Sequence, residues 1–396
     1  MHGGTGPYFK VMTILFDIRP LTDEKYSGIG EYTFRLLTAL LERDSENRYI
    51  LFYNAFKDVS RRLPDFSKYQ NVRVVRRRFP NKIFNYALLW FWGRPRFDKL
   101  VKEKVDIFFM PHINFAAVSK NVKSVVAIHD LSFLVNPEFF SWRKNAWHSF
   151  VNVKKLVKRF NRVVAVSKYT QQDLIEVCGA APQKVTAIYS GLDESLRPIN
   201  KDSDELRLVK EKYSLRKPFI LFLATLEPRK NVEGLVKAFD ILKSSGNFPD
   251  LELVLAGGRG WRAAPIFKAI KEAKFSSDIK VLNYIDSKDR AALYNLAAVF
   301  AYPSFYEGFG FPPLEAMACG TPVVAAANSS LPELLESDAV LVDAYNPSSI
   351  AEGLKEVLSD NALASELSAR GLKKAAAFSW EKTAEQYLEL FAKLVS

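Results

Sequence analysis

Residues Phe305–Gly320 have the sequence FYEGFGFPPLEAMACG, whose glycines and prolines are spaced as in a loop that leads into a helix. Short apolar runs flank it, AVFAYP at Ala298–Pro303 and TPVVAAA at Thr321–Ala327, and both are typical of buried parallel strands. Two prolines precede the run LEAMAC and a glycine follows it. Proline favours the first turn of a helix, and glycine favours the residue just past its end. The stretch therefore predicts a strand, a glycine-rich loop, a helix and a second strand.

The predicted loop and helix start suit a phosphate with polar groups on either side. The N-terminus of a helix offers unpaired N–H groups and a partial positive charge. Gly308 and Gly310 allow the backbone to approach a ligand closely. Glu307 in the loop and Glu315 on the first turn of the helix could accept hydrogen bonds from hydroxyl groups, so a nucleotide-sugar fits the pattern. An ordinary loop with two solvated glutamates is the alternative.

The run EGFGFPPLEAMACGTPVV, which carries both glutamates, resembles the signature of retaining GT-B glycosyltransferases of family 4 (glycosyl transferases group 1). The resemblance covers nearly the whole chain, which looks similar to bacterial polysaccharide mannosyltransferases. It implies an α/β fold of two Rossmann-like domains whose parallel sheets face a central cleft. We expect an N-terminal acceptor-binding domain over residues 11–195 and a C-terminal nucleotide-sugar-binding domain over 215–379. A C-terminal helix, at about 380–396, is expected to cross back to the first domain.

Length and composition agree with this plan. A chain of 396 residues favours two domains of ordinary size. The longest apolar candidate, Ala87–Trp92, is far shorter than the roughly 18 residues that a membrane span needs. The first ten residues lack an apolar core, so we expect an extension and not a signal peptide. Two cysteines, Cys178 and Cys319, favour a reducing compartment, and the expected location is cytoplasmic.

The net charge of +12 is unevenly distributed. Residues 1–200 contain 32 Lys and Arg against 18 Asp and Glu, whereas residues 201–396 contain 24 against 26. All of the excess positive charge therefore lies in the N-terminal half. Such an asymmetry indicates an anionic partner that only this half meets.

Residues 73–104 hold ten of these cations against two carboxylates, with an aromatic run at residues 90–92. Basic residues beside exposed aromatics suit the inner face of an anionic cell membrane or a lipid-linked acceptor. The alternatives are a solvated basic face and a nucleic-acid patch, although no helix-turn-helix, zinc ligand set or RNA-binding motif supports the latter.

A second basic stretch, from Arg143 to Lys168, has eight cations and no acidic residue. It predicts a helix with apolar positions at Trp147, Phe150, Val151, Leu156 and Val157.

Polar residues at predicted strand ends mark a group of candidate site residues in the N-terminal half. Asp17 and Arg19 follow the first strand, where ligands of open α/β sheets gather, and His112 follows another strand and could line the acceptor side. Gly28 and Gly30 lie in a turn before a predicted helix. A lone Gly-x-Gly is weak by itself, but the resemblance implies that both glycines approach the donor diphosphate.

His129 and Asp130 directly follow the predicted strand VVAI. A single histidine is usually structural, but this His-Asp pair matches the family's context. The resemblance implies that His129 contacts the donor sugar near the bond that breaks, with Asp130 in support.

Arg229 and Lys230 lie in a loop between a predicted strand and helix of the C-terminal half. Two cations at such a place can form charge-assisted bonds to a diphosphate and stabilise the negative charge of a leaving group. Their context, LEPRKN, is similar to the diphosphate-binding element of the family.

The resemblance assigns further donor contacts, several of them to the backbone. Glu307 would position the hexose, Glu315 would hold the ribose, and a Gly-Gly pair and a Tyr-Ile pair would lie near the diphosphate and the base. The expected substrate-binding residues of the C-terminal half are Gly257, Gly258, Tyr284, Ile285, Gly308, Phe309, Gly310, Phe311, Leu314 and Glu315.

The function implied is retaining transfer of a hexose from a nucleotide-sugar, with GDP-mannose as the first choice of donor. A UDP-sugar-dependent transferase of the same fold is the alternative, and a nucleic-acid-binding protein is the alternative from another class. The leaving phosphate can take the acceptor proton, so Glu307 serves as a positioning group and not as a nucleophile. The Asp-x-Asp at Asp202–Asp204 lies in a linker with no strand before it, and we expect no metal and no cofactor.

Overall fold

A computed structural model describes residues 11–24, 26–90 and 94–396 of the chain. The predicted N-terminal extension at residues 1–10 lies outside the described residues. The same holds for Phe91 and Trp92 of the aromatic run.

The strands lie in the order β1 Thr13–Asp17, β2 Arg48–Asn54, β3 Val72–Arg77, β4 Ile107–Met110, β5 Lys123–Ile128, β6 Arg162–Ala165, β7 Val185–Ala187, β8 Phe219–Leu223, β9 Glu252–Ala256, β10 Ile279–Leu282, β11 Val299–Tyr302, β12 Val323–Ala326 and β13 Val340–Val342. The helices are α1 Gly28–Arg43, α2 Asn81–Trp90, α3 Ser132–Val135, α4 Trp142–Val151, α5 Val153–Arg159, α6 Lys168–Glu176, α7 Asp204–Lys212, α8 Val232–Ser244, α9 Ala264–Glu272, α10 Arg290–Leu296, α11 Phe311–Ala318, α12 Leu331–Leu335, α13 Pro347–Ser359, α14 Asn361–Ala375 and α15 Trp380–Val395.

The first of two compact units comprises the chain up to Leu131 together with Ala146–Gly191 and Ser379–Ser396. Its sheet has the strand order β3-β2-β1-β4-β5-β6-β7, and every pair of neighbours is parallel. The chain first extends the sheet on one side of β1 and then returns to build the other side. The gap between the loops after β1 and β4 is thus a topological switch point, where open α/β sheets bind ligands.

The second unit comprises Ser132–Asn145 and Leu192–Phe378. Its strands run in the order β10-β9-β8-β11-β12-β13, again with parallel neighbours throughout. Its switch point lies between β8 and β11. The central strands are buried on both faces, as their continuous apolar sequences predict. The predicted class, two α/β domains built on parallel sheets, is confirmed.

The last helix, α15, is anchored within the first unit. The hydroxyl of Tyr387 lies 2.6 Å from that of Tyr32, and Thr383 donates to the carbonyl of Tyr189 at 2.8 Å. Gly191 lies so close to this helix that an added Cβ would be 2.2 Å from the amide nitrogen of Trp380. Only glycine fits there, because any side chain would push the start of α15 away.

The basic stretch from Arg143 onwards differs from the prediction of one helix. The chain forms two helices, α4 and α5, because Asn152 takes a left-handed conformation (φ 51°) and caps α5 by accepting from the amide of Lys155. Trp147 and Phe150, two of the apolar positions of the predicted helix, are exposed to 38% and 64%. Helical spacing predicts that apolar residues share one face of a helix, but it does not predict whether another part of the protein covers that face.

Of the helices in the part of the chain described here, none combines the length and the apolar character needed to cross a bilayer.

Candidate functional site

The loop between β11 and α11 has the predicted form. Gly310 ends it in a backbone conformation that side chains avoid (φ 109°), and an added Cβ would lie 2.7 Å from the side chain of Leu331. Helix α11 begins at Phe311, with proline in its first turn, and Gly320 follows its end with φ 76°. Glu315 is therefore the fifth residue of the helix, and the prediction that it lies on the first turn is wrong by about one residue.

Glu307 is the centre of a buried polar cluster in this loop. Its Oε1 lies 2.6 Å from the Nζ of Lys230 and accepts a hydrogen bond of 2.6 Å from Ser304. Its Oε2 lies 3.0 Å from a guanidinium nitrogen of Arg229. Glu307 is 6% exposed and Lys230 is 8% exposed. Three residues predicted separately, as sugar-holding and diphosphate-holding groups, thus form one hydrogen-bonded cluster.

The position of Arg229 and Lys230 follows from the turn that holds them. After β8 the chain makes a short 3-10 helix at Pro228–Lys230, and Asn231 then takes φ 55° and caps α8 by accepting from the amide of Gly234. The side-chain amide of Asn231 also donates to the carbonyls of Pro303 (3.0 Å) and Ala344 (2.6 Å). These bonds tie the Arg-Lys turn to the loop that carries Glu307.

The electrostatics of the cluster keep Glu307 ionised. Burial raises the pKa of this carboxyl, but the charges of Arg229 and Lys230 and their hydrogen bonds outweigh burial and lower the pKa to about 2. Burial and the neighbouring guanidinium of Arg229 lower the pKa of Lys230, while Glu307 raises it. The Nζ of Lys230 also donates to the hydroxyl of Tyr302 at 2.6 Å. Glu307 therefore remains a carboxylate at neutral pH and cannot donate a proton.

Glu227 is a second carboxylate of the cluster, and the sequence motifs did not single it out. It is 2% exposed and its Oε1 lies 3.1 Å from the guanidinium of Arg229. Burial raises the pKa of Glu227, and the charge of Arg229 opposes that rise. The positive charges of Arg229 and Lys230 are therefore matched by the negative charges of two carboxylates. Its place in the run LEPRKN was a signal that could have identified it, whereas Ser304 and Tyr302 are recognisable only from their contacts.

Glu315 belongs to a separate buried group on α11. Tyr294 donates to its Oε2 at 2.8 Å, and Arg290 lies 3.3 Å from its Oε1. Arg290 also lies 3.6 Å from a carboxylate oxygen of Asp193. Neither Tyr294 nor Arg290 was predicted, because both come from α10, which the sequence marks only as an amphipathic helix.

The other residues predicted to bind the nucleotide-sugar differ in how accessible their backbone and side chains are. Gly257 has φ 143°, and an added Cβ would be 1.9 Å from the carbonyl oxygen of Ala224, whereas a Cβ at Gly258 would meet nothing within 4 Å. Tyr284 is 57% exposed, in the loop after β10. The side chain of Leu314 is fully buried, so only its backbone could contact a ligand. Phe309 and Phe311 pack together with ring centroids 4.8 Å apart, next to Gly308 and Gly310.

In the first unit, His129 follows β5 as predicted. Its Nε2 lies 2.7 Å from the carbonyl oxygen of Pro111, which can only accept, so Nε2 carries the proton. The ring packs edge-on against Tyr32 at 4.5 Å, and burial lowers the pKa of His129. The imidazole is therefore held in one neutral tautomer.

Asp17, Arg19 and His112 form a polar group at the ends of β1 and β4. Arg19 contacts the fully buried Asp17 at 2.6 Å, and its guanidinium lies 5.1 Å from the ring centroid of Phe97. The Nε2 of His112 lies 3.1 Å from the side-chain amide of Asn114, and burial lowers the pKa of His112 to about 4. This group lies at the switch point of the first sheet.

Gly28 and Gly30 lie inside α1 and not in the turn before it. The helix begins at Gly28, and Ser27 caps it by accepting from the amide of Gly30 at 3.4 Å. An added Cβ at Gly30 would be 3.0 Å from the Cβ of Tyr26, while Gly28 has open space around it. The prediction placed the helix start after these glycines. A serine cap just ahead of them explains the difference.

Asp204 of the Asp-x-Asp run has a structural explanation. Ser203 caps α7, and Asp204 in its first turn lies 2.7 Å from Arg207. Within residues 11–24, 26–90 and 94–396, no group of three or more His, Cys, Asp or Glu side chains is placed to hold a metal ion.

Both halves of the chain match known protein families. Residues 26–196 match the family Glycosyltransferase Family 4, and residues 205–374 match Glycosyl transferases group 1. The serotype-specific mannosyltransferase WbdA of Escherichia coli is 29% identical over 97% of this chain, and the chain spans about half (48%) of that longer relative. O-antigen chain mannosyltransferase B of Escherichia coli is 28% identical over 96% of this chain and 99% of its own length.

The fold is that of known glycosyltransferase structures. Sucrose-phosphate synthase from Thermosynechococcus elongatus superimposes with a TM-score of 0.74 over 97% of this chain and 99% of its own, at 21% identity. This likeness confirms the predicted GT-B fold. The two family matches together take in nearly all of the chain, which therefore belongs to the glycosyltransferases of group 1 and family 4.

Proposed function

We propose that this protein is a retaining hexosyltransferase that moves mannose from GDP-mannose to a glycan or lipid-linked acceptor in the synthesis of a cell-surface polysaccharide. The observation that carries the proposal is the buried cluster of Arg229, Lys230 and Glu307, whose glutamate lies four residues before the start of α11. The choice of mannose is supported by the two Escherichia coli mannosyltransferases that the chain resembles over most of its length.

In this proposal the donor diphosphate binds Arg229, Lys230 and the N–H groups at the start of α11. Both cations come from one tight turn and are oriented by buried carboxylates, so little rearrangement is needed when the diphosphate binds. Negative charge grows on the diphosphate as the sugar departs. Fixed cations in a site from which water is largely excluded stabilise that charge strongly.

Glu307 would position the hexose and hold the two cations. Its carboxylate already accepts hydrogen bonds from three side chains, which reduces its reactivity towards the anomeric carbon. Departure of the phosphate and attack of the acceptor on the same face would retain the configuration of the anomeric carbon. The departing phosphate would take the acceptor proton, so that no separate base is required.

The nucleoside would lie on the other side of the diphosphate. Glu315, oriented by Tyr294 and Arg290, would accept hydrogen bonds from the ribose hydroxyls. Backbone groups at Gly257, Gly258, Tyr284 and Ile285 would meet the diphosphate and the base. His129 is proposed to contact the donor sugar, and Asp17, Arg19 and His112 are proposed to meet the acceptor.

The proposal is tested first by binding and then by transfer. A thermal-shift screen with GDP-mannose, UDP-glucose and ADP-glucose should give the largest rise in Tm with GDP-mannose, because a bound donor stabilises the folded state by mass action. Release of GDP should then require an acceptor, and NMR of the product should show a retained anomeric configuration. A larger shift with UDP-glucose would favour the UDP-sugar alternative. No shift with any nucleotide-sugar, or nucleotide release without acceptor, would contradict the proposal.

The transferase is proposed to need no metal or cofactor. Two protein cations would neutralise charge on the donor diphosphate, as a divalent ion does in other transferases. Activity in excess EDTA should therefore equal activity in buffer. Strict dependence on Mg²⁺ or Mn²⁺ would contradict this part of the proposal.

A peripheral contact with the anionic inner face of the cell membrane is proposed for the basic half of the chain. Helix α2 exposes Ile83 and Tyr86 beside Lys82, and α4 exposes Trp142 and Phe150 ahead of the cations of α5. The protein should sediment with phosphatidylglycerol vesicles and not with phosphatidylcholine vesicles, and high salt should release it. Binding to DNA in place of vesicles would support the nucleic-acid alternative, which the two family matches do not favour.

A further inference from the structure

Segment 132–145, residues Ser132–Asn145, comes from the N-terminal half of the sequence but packs within the second unit. Its contacts centre on Trp261, whose indole N–H donates to the carbonyl of Phe139 at 2.6 Å. The ring of Phe140 stacks with that of Trp261 at 5.6 Å, and the Nζ of Lys144 lies 3.2 Å from the indole ring centroid. A cation at that distance over an indole ring is held in place electrostatically.

This segment lies beside the cluster that holds Arg229. Trp261 follows Gly260, whose amide donates to the carbonyl of Leu226 at 3.0 Å, and an added Cβ at Gly260 would be 3.0 Å from the Cβ of Glu227. The residue before Trp261 therefore lies against Glu227, the carboxylate that pairs with Arg229.

A second contact joins the segment to the same cluster. Phe139 stacks on Phe305 with ring centroids 5.6 Å apart and planes 11° from parallel. The amide of Phe305 donates to the carbonyl of Arg229 at 2.9 Å. Segment 132–145 thus contacts the loop before α11 directly, through Phe305, and that loop is hydrogen-bonded to Arg229.

We propose that Lys144, held over the ring of Trp261, is a third cation for the donor diphosphate. This inference rests on the proposed function. Arg229 and Lys230 are balanced by Glu227 and Glu307, so the cluster alone offers no net positive charge to a diphosphate. Lys144 adds that charge, and it remains exposed to solvent, so it can reach a ligand.

The electrostatics of Lys144 agree with this placement. Burial lowers the pKa of Lys144, the charge of Glu227 raises it, and the charge of Arg229 lowers it. The two residues that affect Lys144 are members of the proposed diphosphate site. Lys144 therefore lies within the electrostatic reach of that site.

The test is titration calorimetry with GDP and GMP on three variants of the full chain. Lys144→Gln should weaken GDP binding about tenfold, the usual effect of losing one charge-assisted bond, and should weaken GMP binding less. Lys144→Arg should restore most of the GDP affinity. Arg143→Gln is the matched control, because it removes an equal charge from the same turn of α4 and should bind GDP as the wild type does. UDP and UMP replace this pair if the wild type prefers uridine.

Two results would overturn the inference. One is wild-type GDP affinity in Lys144→Gln. The other is an equal loss for GDP and GMP together with a lower Tm, which would show that Lys144 only holds the segment in place. If the wild type binds none of the four nucleotides, the proposed function itself fails, and that result is distinct from either of these.

Discussion

The Nζ of Lys230 lies 2.6 Å from the Oε1 of Glu307, and both side chains are more than nine-tenths buried. A buried ion pair stabilises a fold only weakly, because the free energy needed to remove two charges from water offsets much of their electrostatic attraction. Lys230 and Glu307 are therefore better explained by a ligand that needs charge at this place than by stability. Their loops also supply Arg229 and the start of α11.

Replacing Lys230 by Gln should lower kcat/KM for the donor by at least about a hundredfold, the usual effect of losing one group that stabilises transition-state charge. The amide keeps a hydrogen-bond donor near Glu307, which limits damage to the fold. Steady-state release of nucleoside diphosphate measures the effect. Lys237→Gln, on the exposed face of α8, is the control and should be unaffected. Wild-type turnover in Lys230→Gln would contradict the site assignment.

The ion pairs of Glu307 should make stability depend on pH in a defined range. The pKa of Glu307 is lowered from 4.5 to about 2 in the folded protein. Its ion pairs therefore make their full contribution to the stability of the folded state above pH 4.5, and this contribution is lost as pH falls towards 2. The difference in unfolding free energy between wild type and Glu307→Gln should be constant near neutral pH and should shrink by about 1.4 kcal/mol per pH unit within that range. Urea denaturation at pH 6 and pH 3 measures it. A difference that does not change with pH would show that the carboxylate is not held ionised.

Replacing Glu315 by Gln should weaken recognition of the ribose hydroxyls, because an amide oxygen is a weaker acceptor than a carboxylate. The wild type should bind GDP more tightly than 2′,3′-dideoxy-GDP, and this preference should be clearly smaller in Glu315→Gln. Tyr294→Phe, which removes the hydroxyl that orients Glu315, should reduce the preference in part. Glu356→Gln, on the exposed face of α13, serves as the control. An undiminished preference in Glu315→Gln would show that another residue binds the ribose.

The two glycines after β9 should respond differently to alanine. Gly257→Ala forces a side chain into a left-handed position and against the carbonyl of Ala224, so it should destabilise the fold by about 2 kcal/mol or more. Gly258→Ala has open space and should keep the wild-type Tm while weakening nucleotide binding. Thermal denaturation and GDP titration of both variants separate these effects. Equal Tm values for the two variants would contradict the geometry of this turn.

The sequence predicts local structure well where that structure depends on residues close together along the chain. Glycine and proline positions fix the loop before α11, and the strand ends locate Arg229, Lys230 and His129, because parallel strands deliver their following residues to one edge of the sheet. These features depend on neighbours within a few positions along the chain. The amino-acid sequence alone is therefore enough to predict them.

The parts that the sequence could not supply depend on contacts between distant residues. The pairing of Glu307 with Arg229 joins positions 78 apart, and the contact of Trp261 with Phe139 joins positions 122 apart. Periodicity could not show that Trp147 and Phe150 are exposed, since an apolar face has the same pattern whether or not something covers it. The N-cap at Ser27 could have been found, because serine before Gly-x-Gly is an ordinary helix-start signal.

A crystal structure of the protein with GDP-mannose is the sharpest test of the proposed donor site. The diphosphate should lie within hydrogen-bond distance of Arg229 and Lys230, the ribose at Glu315 and the hexose at Glu307. A nucleotide-sugar bound elsewhere, with the Lys230–Glu307 pair undisturbed and no ligand beside it, would contradict this assignment of the donor site.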